Sequence, residues 1–536
     1  MKKITKISTV ILIILFTACR DQLDIENPNA PKFSRIQTEN GLMNFALGGI
    51  YTMNTNYSGQ GFFWNGVWAF HELMGDAIGC EPANIGMNQI ACPDLVKLDN
   101  GTVIPSPQPP HAQKKFIRQR NLNQNQGNNP LYYEWAIMYS LNNAANMILA
   151  LADDVPMAGD SITVIDKVNT LKSWSYFWKG FAYSRIGSMY YAGIINNDSM
   201  KTNNRYVSQE NIIKEADKNF NKADSILNLF TDDVVYNETL GKLIPSICQV
   251  GNGGVLTPAM WKRHMNTMRA RNILVNTPVA SMTPAQLNDI LNLTSNGIQQ
   301  TDKTFTVRSN ATADLMSANS GNVAARIGIG RFFQVSERLI QDFKPADNRL
   351  ANNFKLTTLW KGNVARGNSF NTRWQPRNGG AGMPGVMVYQ NRALGAHELY
   401  MAGFYEENEL MKAEANIYLG NVDAGLAIID NIRALQGAGL PAVAGTGLTQ
   451  AQAITELRSE RRVALAFRGF SFYDARRWDV INTGRTGAIV VDFNGAVNTN
   501  ATINYNFLDY WDVPDNELEF NPPAPGSTPV KNPNGL

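Results

Sequence analysis

The chain is short of the residues that metal and redox chemistry need. It holds 4 Cys and 4 His in 536 residues. No C-x-x-C occurs and the histidines do not sit near the cysteines at zinc-ligand spacing, so neither a structural zinc site nor any other metal is expected. Cys80, Cys92 and Cys248 are too few for a disulfide framework; Cys80 and Cys92 could close one short loop, which the sequence leaves open. Several enzyme signatures fail. His71-Glu72 begins like an H-E-x-x-H zinc helix, but Gly75 stands where the second His is required. Gly328-Ile329-Gly330 is followed by Phe333 where a dinucleotide fingerprint needs glycine. There is no phosphate-binding G-x-x-x-x-G-K-[ST] loop and no G-x-S-x-G elbow. No cofactor is implied. Paired carboxylates remain available, as they would by chance among 45 acidic residues, but no pair is singled out.

Charge is also scarce. Charged residues make up 17%, against ~25% in an ordinary soluble domain. Lys and Arg number 48 and Asp and Glu 45, and three of the lysines (Lys2, Lys3, Lys6) fall in a leader expected to be removed. The mature chain is then neutral and has no electrostatic reason to hold nucleic acid. A neutral, Asn-rich surface suits neutral polar ligands. The hydrophobic content of 44% supports a sizeable core, and a mean hydropathy of -0.24 excludes a polytopic membrane protein.

The only uninterrupted apolar run near the start is Val10 to Phe16. It is too short for the ~20 helical residues that cross a bilayer, but it fits the core of a secretory signal peptide behind the three lysines. Thr17 and Ala18 precede Cys19, which resembles a bacterial lipobox. The expectation is a signal peptide over 1–18, acylation at Cys19 and anchorage to the outer membrane. Each buried CH₂ of such an anchor contributes ~0.8 kcal/mol. Asp21, Asp24 and Glu26 resemble the surface-export signal of Bacteroidetes lipoproteins, so the body is expected to face the cell exterior.

Helical signals dominate thereafter. The expected organisation is a lipidated N-terminus and tether over 19–40, a helical, repeat-like half over 41–276, a loop-rich, ligand-facing region over 277–397, and a C-terminal helical region with a tail over 398–536. Ile212, Ala216, Phe220, Ala223 and Leu227 form one face of an amphipathic helix. Leu399 to Leu419 reads as a helix stopped by Gly420, which suits a left-handed cap, with Glu406, Glu407 and Glu409 as a solvated face. Thr449 and Gln452 form a capping-box pattern opening a helix that buries Ala453, Leu457, Ala464 and Phe467. Paired helices with small residues at their contacts resemble degenerate tetratricopeptide repeats. The fold class is therefore all-α: degenerate tetratricopeptide-like helix pairs with long loop-rich insertions. Asn84 to Pro130 reads as loop, and strand signals are sparse.

Ile454 to Trp478, ITELRSERRVALAFRGFSFYDARRW, carries a specific match. Glu460, Arg461, Phe467, Gly469, Asp474, Arg477 and Trp478 resemble the signature of the SusD/RagB family of outer-membrane nutrient-binding lipoproteins. Leu410, Ala413, Glu414, Ala415 and Gly420-Asn421 resemble a preceding family helix, and Glu72 to Asp76 a short E-L-x-x-D stretch. Ala464, Arg468 and Ser471 depart from the family pattern. Read physically, the motif is core and cap: Asp474 and Arg477 are three apart on a helix and can pair, Gly469 supplies a positive φ, and Trp478 packs the helix onto its neighbours.

The resemblance implies a SusD-like fold, no catalysis, oligosaccharide or peptide as ligand, and a TonB-dependent, SusC-like transporter as partner. It also implies a shallow ligand surface lined by aromatic rings, because sugar C–H faces stack on aromatic faces while Asn, Gln and Arg bond hydroxyls. The candidate rings and cations are Trp64, Trp68, Trp360, Arg373, Trp374 and Tyr389. For each ring the alternative is a place in the core. Trp374 is the best placed, with Arg373, Asn371 and Gln375 around it.

Overall fold

A computed structural model describes residues 33–51, 67–80, 85–308, 333–362, 366, 370–377 and 398–536. Cys19, Trp64 and Tyr389 lie outside these residues. Helices of seven residues or more are α1 Glu39–Tyr51, α2 Trp68–Met74, α3 Ala112–Arg120, α4 Pro130–Leu151, α5 Ser161–Met189, α6 Gln209–Ile226 and α7 Asp233–Leu243. They continue as α8 Pro258–Asn276, α9 Pro284–Ser295, α10 Tyr405–Tyr418, α11 Val422–Leu435, α12 Gln450–Ala464 and α13 Ser471–Arg477. The strands are short: β1 Ile78–Cys80, β2 Leu95–Lys97, β3 Val103–Pro105, β4 Ala192–Ile194, β5 Tyr206–Ser208 and β6 Thr306–Arg308. After these come β7 Phe333–Val335, β8 Phe354–Trp360, β9 Thr372–Pro376, β10 Glu398–Tyr400, β11 Arg485–Val491 and β12 Val497–Asn504. The fold is all-α, with small sheets only. No helix among the described residues is long and apolar enough to cross a membrane.

Local sequence sets the ends of these helices. Asp160 accepts the Thr163 amide N–H to open α5. Thr257 and Thr283 cap α8 and α9, each with proline at the first helical position, where its missing N–H costs nothing. The capping box expected at Thr449 and Gln452 is present. Neighbouring helices pack as pairs: α4 on α5, α5 on α6, α10 on α11. The α5–α6 contact is close because a Cβ at Gly180 would stand 2.5 Å from the Phe220 ring. In the centre, Trp174, Phe177, Trp178, Trp261 and Phe305 meet edge to face or tilted, with centroids 5.1–6.3 Å apart. This quadrupole-favoured geometry joins α5, α8 and the chain after α9 in one core.

The structure departs from the sequence reading in three places. The stretch expected as loop from Asn84 holds α3 and the strands β2 and β3. Those two join the C-terminal hairpin of β11 and β12 in an antiparallel sheet of order β11-β12-β2-β3. Three-residue strands carry too little alternation to read locally; their partner lies about 400 residues away in the chain. The stretch 277–397 likewise contains α9 and the β8–β9 hairpin. The helix expected from Leu399 starts at Tyr405, because Glu398–Tyr400 forms β10, paired with β6. Cys80, Cys92 and Cys248 are buried thiols in no disulfide.

Candidate functional site

The signature residues form a charged interior. Arg477 donates to both Glu414, on α10, and Asp474; Asp474 also accepts from Arg461 at 3.0 Å. Arg349 meets Glu460 at 2.6 Å and Arg433 meets the same carboxylate at 2.8 Å. Each charge is buried and each has an opposite partner, which burial requires. Glu407 belongs to this pattern and not to a solvated face: it is buried and accepts both arms of Arg271 on α8. That partner, 136 residues earlier in the chain, left no local sign.

The E-L-x-x-D stretch buttresses the signature from the other side. Glu72 accepts the Gly469 N–H at 2.7 Å and the Ser471 hydroxyl. Burial outweighs these bonds and pushes its carboxyl up to about 7. Burial acts on Asp76 in the same sense, but Arg338 at 2.8 and 2.9 Å overrides it and holds the carboxyl at about 2. Gly469 has φ +80°, and a Cβ there would approach the Trp68 indole to 3.0 Å.

The candidate rings separate accordingly. Trp68 is 5% exposed and packs under the signature, and Trp360 is 7% exposed, so neither presents a ring face to solvent. The hairpin brings Arg373 and Trp374 together. Arg373 grips Glu337 through Nε at 3.1 Å and Nη2 at 2.9 Å, leaving little of its fork for a ligand. Trp374 is half-buried and lies across the ladder from Leu356, which is 63% exposed.

A cavity of about 390 Å³ that the sequence did not point to lies beside the β6–β10 ladder. Its aromatic wall is Tyr400, stacked on Phe404 at 4.7 Å and 13°, with the Arg468 guanidinium 5.0 Å from the Tyr400 ring. Tyr405, half-buried, stands beside them, its hydroxyl pKa raised by burial and by Glu409 and Glu406. The polar wall is fixed in place. Glu398 accepts the Asn252 side-chain amide at 3.0 Å and the Gly253 N–H at 3.1 Å, and Asp302 is clamped by Arg263 at 2.6 and 2.7 Å. The amides of Gln299 and Gln300 are exposed at its edge. Stacking rings, amides and carboxylates in one concave wall hold hydroxylated, uncharged molecules through C–H contacts and paired hydrogen bonds. Tyr400 and Arg468 are 68 residues apart in sequence, so only the fold brings them together. Among the described residues, no group of three or more His, Cys, Asp or Glu is arranged to hold a metal ion.

This helical architecture is similar to that of solved SusD-like proteins. A sequence model of the SusD family matches residues 407–527. A SusD-like carbohydrate binding protein from Bacteroides fragilis aligns with a TM-score of 0.59 at 14% identity, over 90% of this chain and 98% of that one. A putative sugar binding protein from Bacteroides vulgatus aligns at 0.55 and 14% identity, over 91% and 98%. A SusD superfamily protein from Bacteroides vulgatus aligns at 0.53 and 15% identity, over 83% and 89%. No curated protein matches the sequence. Residues 407–527 therefore match the SusD family, and the chain as a whole is similar in fold to SusD-like proteins.

Proposed function

We propose that this chain is a lipoprotein, anchored at Cys19 in the outer membrane and facing outward, that captures oligosaccharide and passes it to a SusC-like, TonB-dependent transporter. The observation that carries this reading is the fold shared over nearly the whole chain with a SusD-like carbohydrate binding protein. The cavity beside the β6–β10 ladder supports it chemically. A sugar ring lies against Tyr400 and Tyr405; its hydroxyls donate to Glu398 and bond the amides of Gln299, Gln300 and Asn252. Trp374 offers a second stacking face on the hairpin, with Arg373 beside it; Trp64 and Tyr389 remain candidates to extend the surface. Binding by these groups transforms nothing.

Titration calorimetry of the purified protein against neutral oligosaccharides and peptides tests the reading. Saturable glycan binding that weakens in Tyr405→Ala supports it. Binding of peptides alone establishes the peptide-uptake alternative instead, and release of reducing sugar lost with one carboxylate would make the protein a glycosidase. Palmitate labelling that survives Cys19→Ala would overturn the anchor.

A further inference from the structure

A second and larger cavity, about 580 Å³, opens where α13 meets the end of α8 and the C-terminal tail. It shares no residue with the cavity at Tyr400, so its chemistry is independent of the glycan reading. Three arginines line it, Arg458, Arg476 and Arg477, and the first two differ from most of the interior arginines. Arg185, Arg271, Arg338 and Arg477 each meet a carboxylate. Arg476, 7% exposed, donates only to main-chain carbonyls, those of Ser188 at 2.7 Å, Val275 at 2.8 Å and Asp509 at 3.1 Å. Arg458 stacks over the Trp478 ring at 5.3 Å, and neither guanidinium forms an ion pair among the described residues. Two buried donors on the same wall, Arg458 Nε and Trp478 Nε1, have no acceptor among the described residues.

Neither carboxylate on the wall forms an ion pair with Arg458 or Arg476. Asp509 accepts from the Tyr510 N–H and from the Asn532 and Asn534 amides at 2.7–3.0 Å. Asp479 is exposed to water and accepts from Asn482 at 2.7 Å. For the buried Arg476 the lack of an anion is costly, since carbonyl dipoles satisfy its hydrogen bonds but not its charge, whereas Arg458 is half-exposed. Val279 and Ile481 lie beside Trp478 and Tyr510 on the apolar part of the wall, and Gln209, Asn276, Asn482 and Asn534 supply neutral amides.

We infer that this cavity binds a small carboxylate carried on a ring or apolar body, its charge set against Arg458 and Arg476 and its body against Trp478 and Tyr510. Such an acceptor supplies both the missing anion and a partner for the orphaned N–H groups. A peptide C-terminus and a uronic acid share this chemistry.

The full chain, purified in detergent, is titrated with N-acetyl-phenylalanine and with digalacturonate, each beside its neutral counterpart, the amide and the methyl ester. At least one acid is expected to bind saturably and at least tenfold more tightly than its counterpart. Binding of the first names a peptide-type source, of the second a uronic acid; binding of both leaves the carboxylate as the recognised group. Arg458→Gln is expected to weaken the acid at least tenfold. Because Arg458 packs on Trp478, a second variant on the rim, Val279→Glu, adds a repelling charge without touching the core and is expected to do the same. No saturable binding of either acid, equal affinity for acid and neutral counterpart, or full affinity in both variants overturns the inference.

Discussion

The C-terminal helices and the β8–β9 hairpin both depend on arginine, in opposite ways. Behind α10 and α12, Arg477, Arg461, Arg349 and Arg433 are buried among Glu414, Asp474 and Glu460, and each guanidinium ties two or more elements together. On the hairpin, Arg373 pairs with Glu337 while a third of its side chain stays in water. In the first region charge is structure: removing one member strands the others in a low-dielectric interior. In the second, water screens the arginine, and Glu337, although buried, keeps the Arg373 main-chain N–H as a donor when the side chain is removed. The signature region is therefore expected to tolerate substitution less than the hairpin does.

The sharpest way to break this contrast is Arg477→Ala. It leaves Glu414 and Asp474 uncompensated and should cost about 3–5 kcal/mol in urea denaturation; a loss no larger than that of Arg373→Ala would erase the distinction. Glu72 comes next. Its folded pKa of about 7 lies above the ordinary 4.5, so its contribution is fully present below about pH 4.5 and is lost as pH rises through 7. The wild type should lose roughly 3 kcal/mol over that window relative to Glu72→Gln. Parallel pH profiles for the two proteins would contradict it.

Gly469→Ala forces a side chain into positive φ and against the Trp68 ring, and should cost about 1–3 kcal/mol by thermal unfolding. Smallest in stability and largest in binding, Trp374→Ala should change the unfolding free energy by less than about 1 kcal/mol while weakening oligosaccharide binding severalfold in calorimetry. Unaltered affinity would take the hairpin out of the ligand surface.

Features within one turn of chain were readable. The Thr449–Gln452 box, the positive φ of Gly420 and Gly469, and the Asp474–Arg477 pair three residues apart all follow from local rules and stand as expected. Glu407 reads wrongly because its helix face looks solvated until α8 is laid against it. The four-stranded sheet escapes notice because strands of three residues carry almost no periodicity and their stability comes from β12. Arg373 and Trp374, neighbours in sequence, could be read as a pair; Tyr400, Arg468 and Asn252 could not, since nothing in spacing or composition connects them.

Helix content, caps and turn glycines were decided along the chain, because backbone propensity and side-chain-to-backbone bonds act over three or four residues. Which charges are buried in pairs, which tryptophans are covered and which arginines bond main-chain carbonyls were decided by packing. Burial and electrostatic pairing depend on what arrives from hundreds of residues away, and no window of sequence contains both partners.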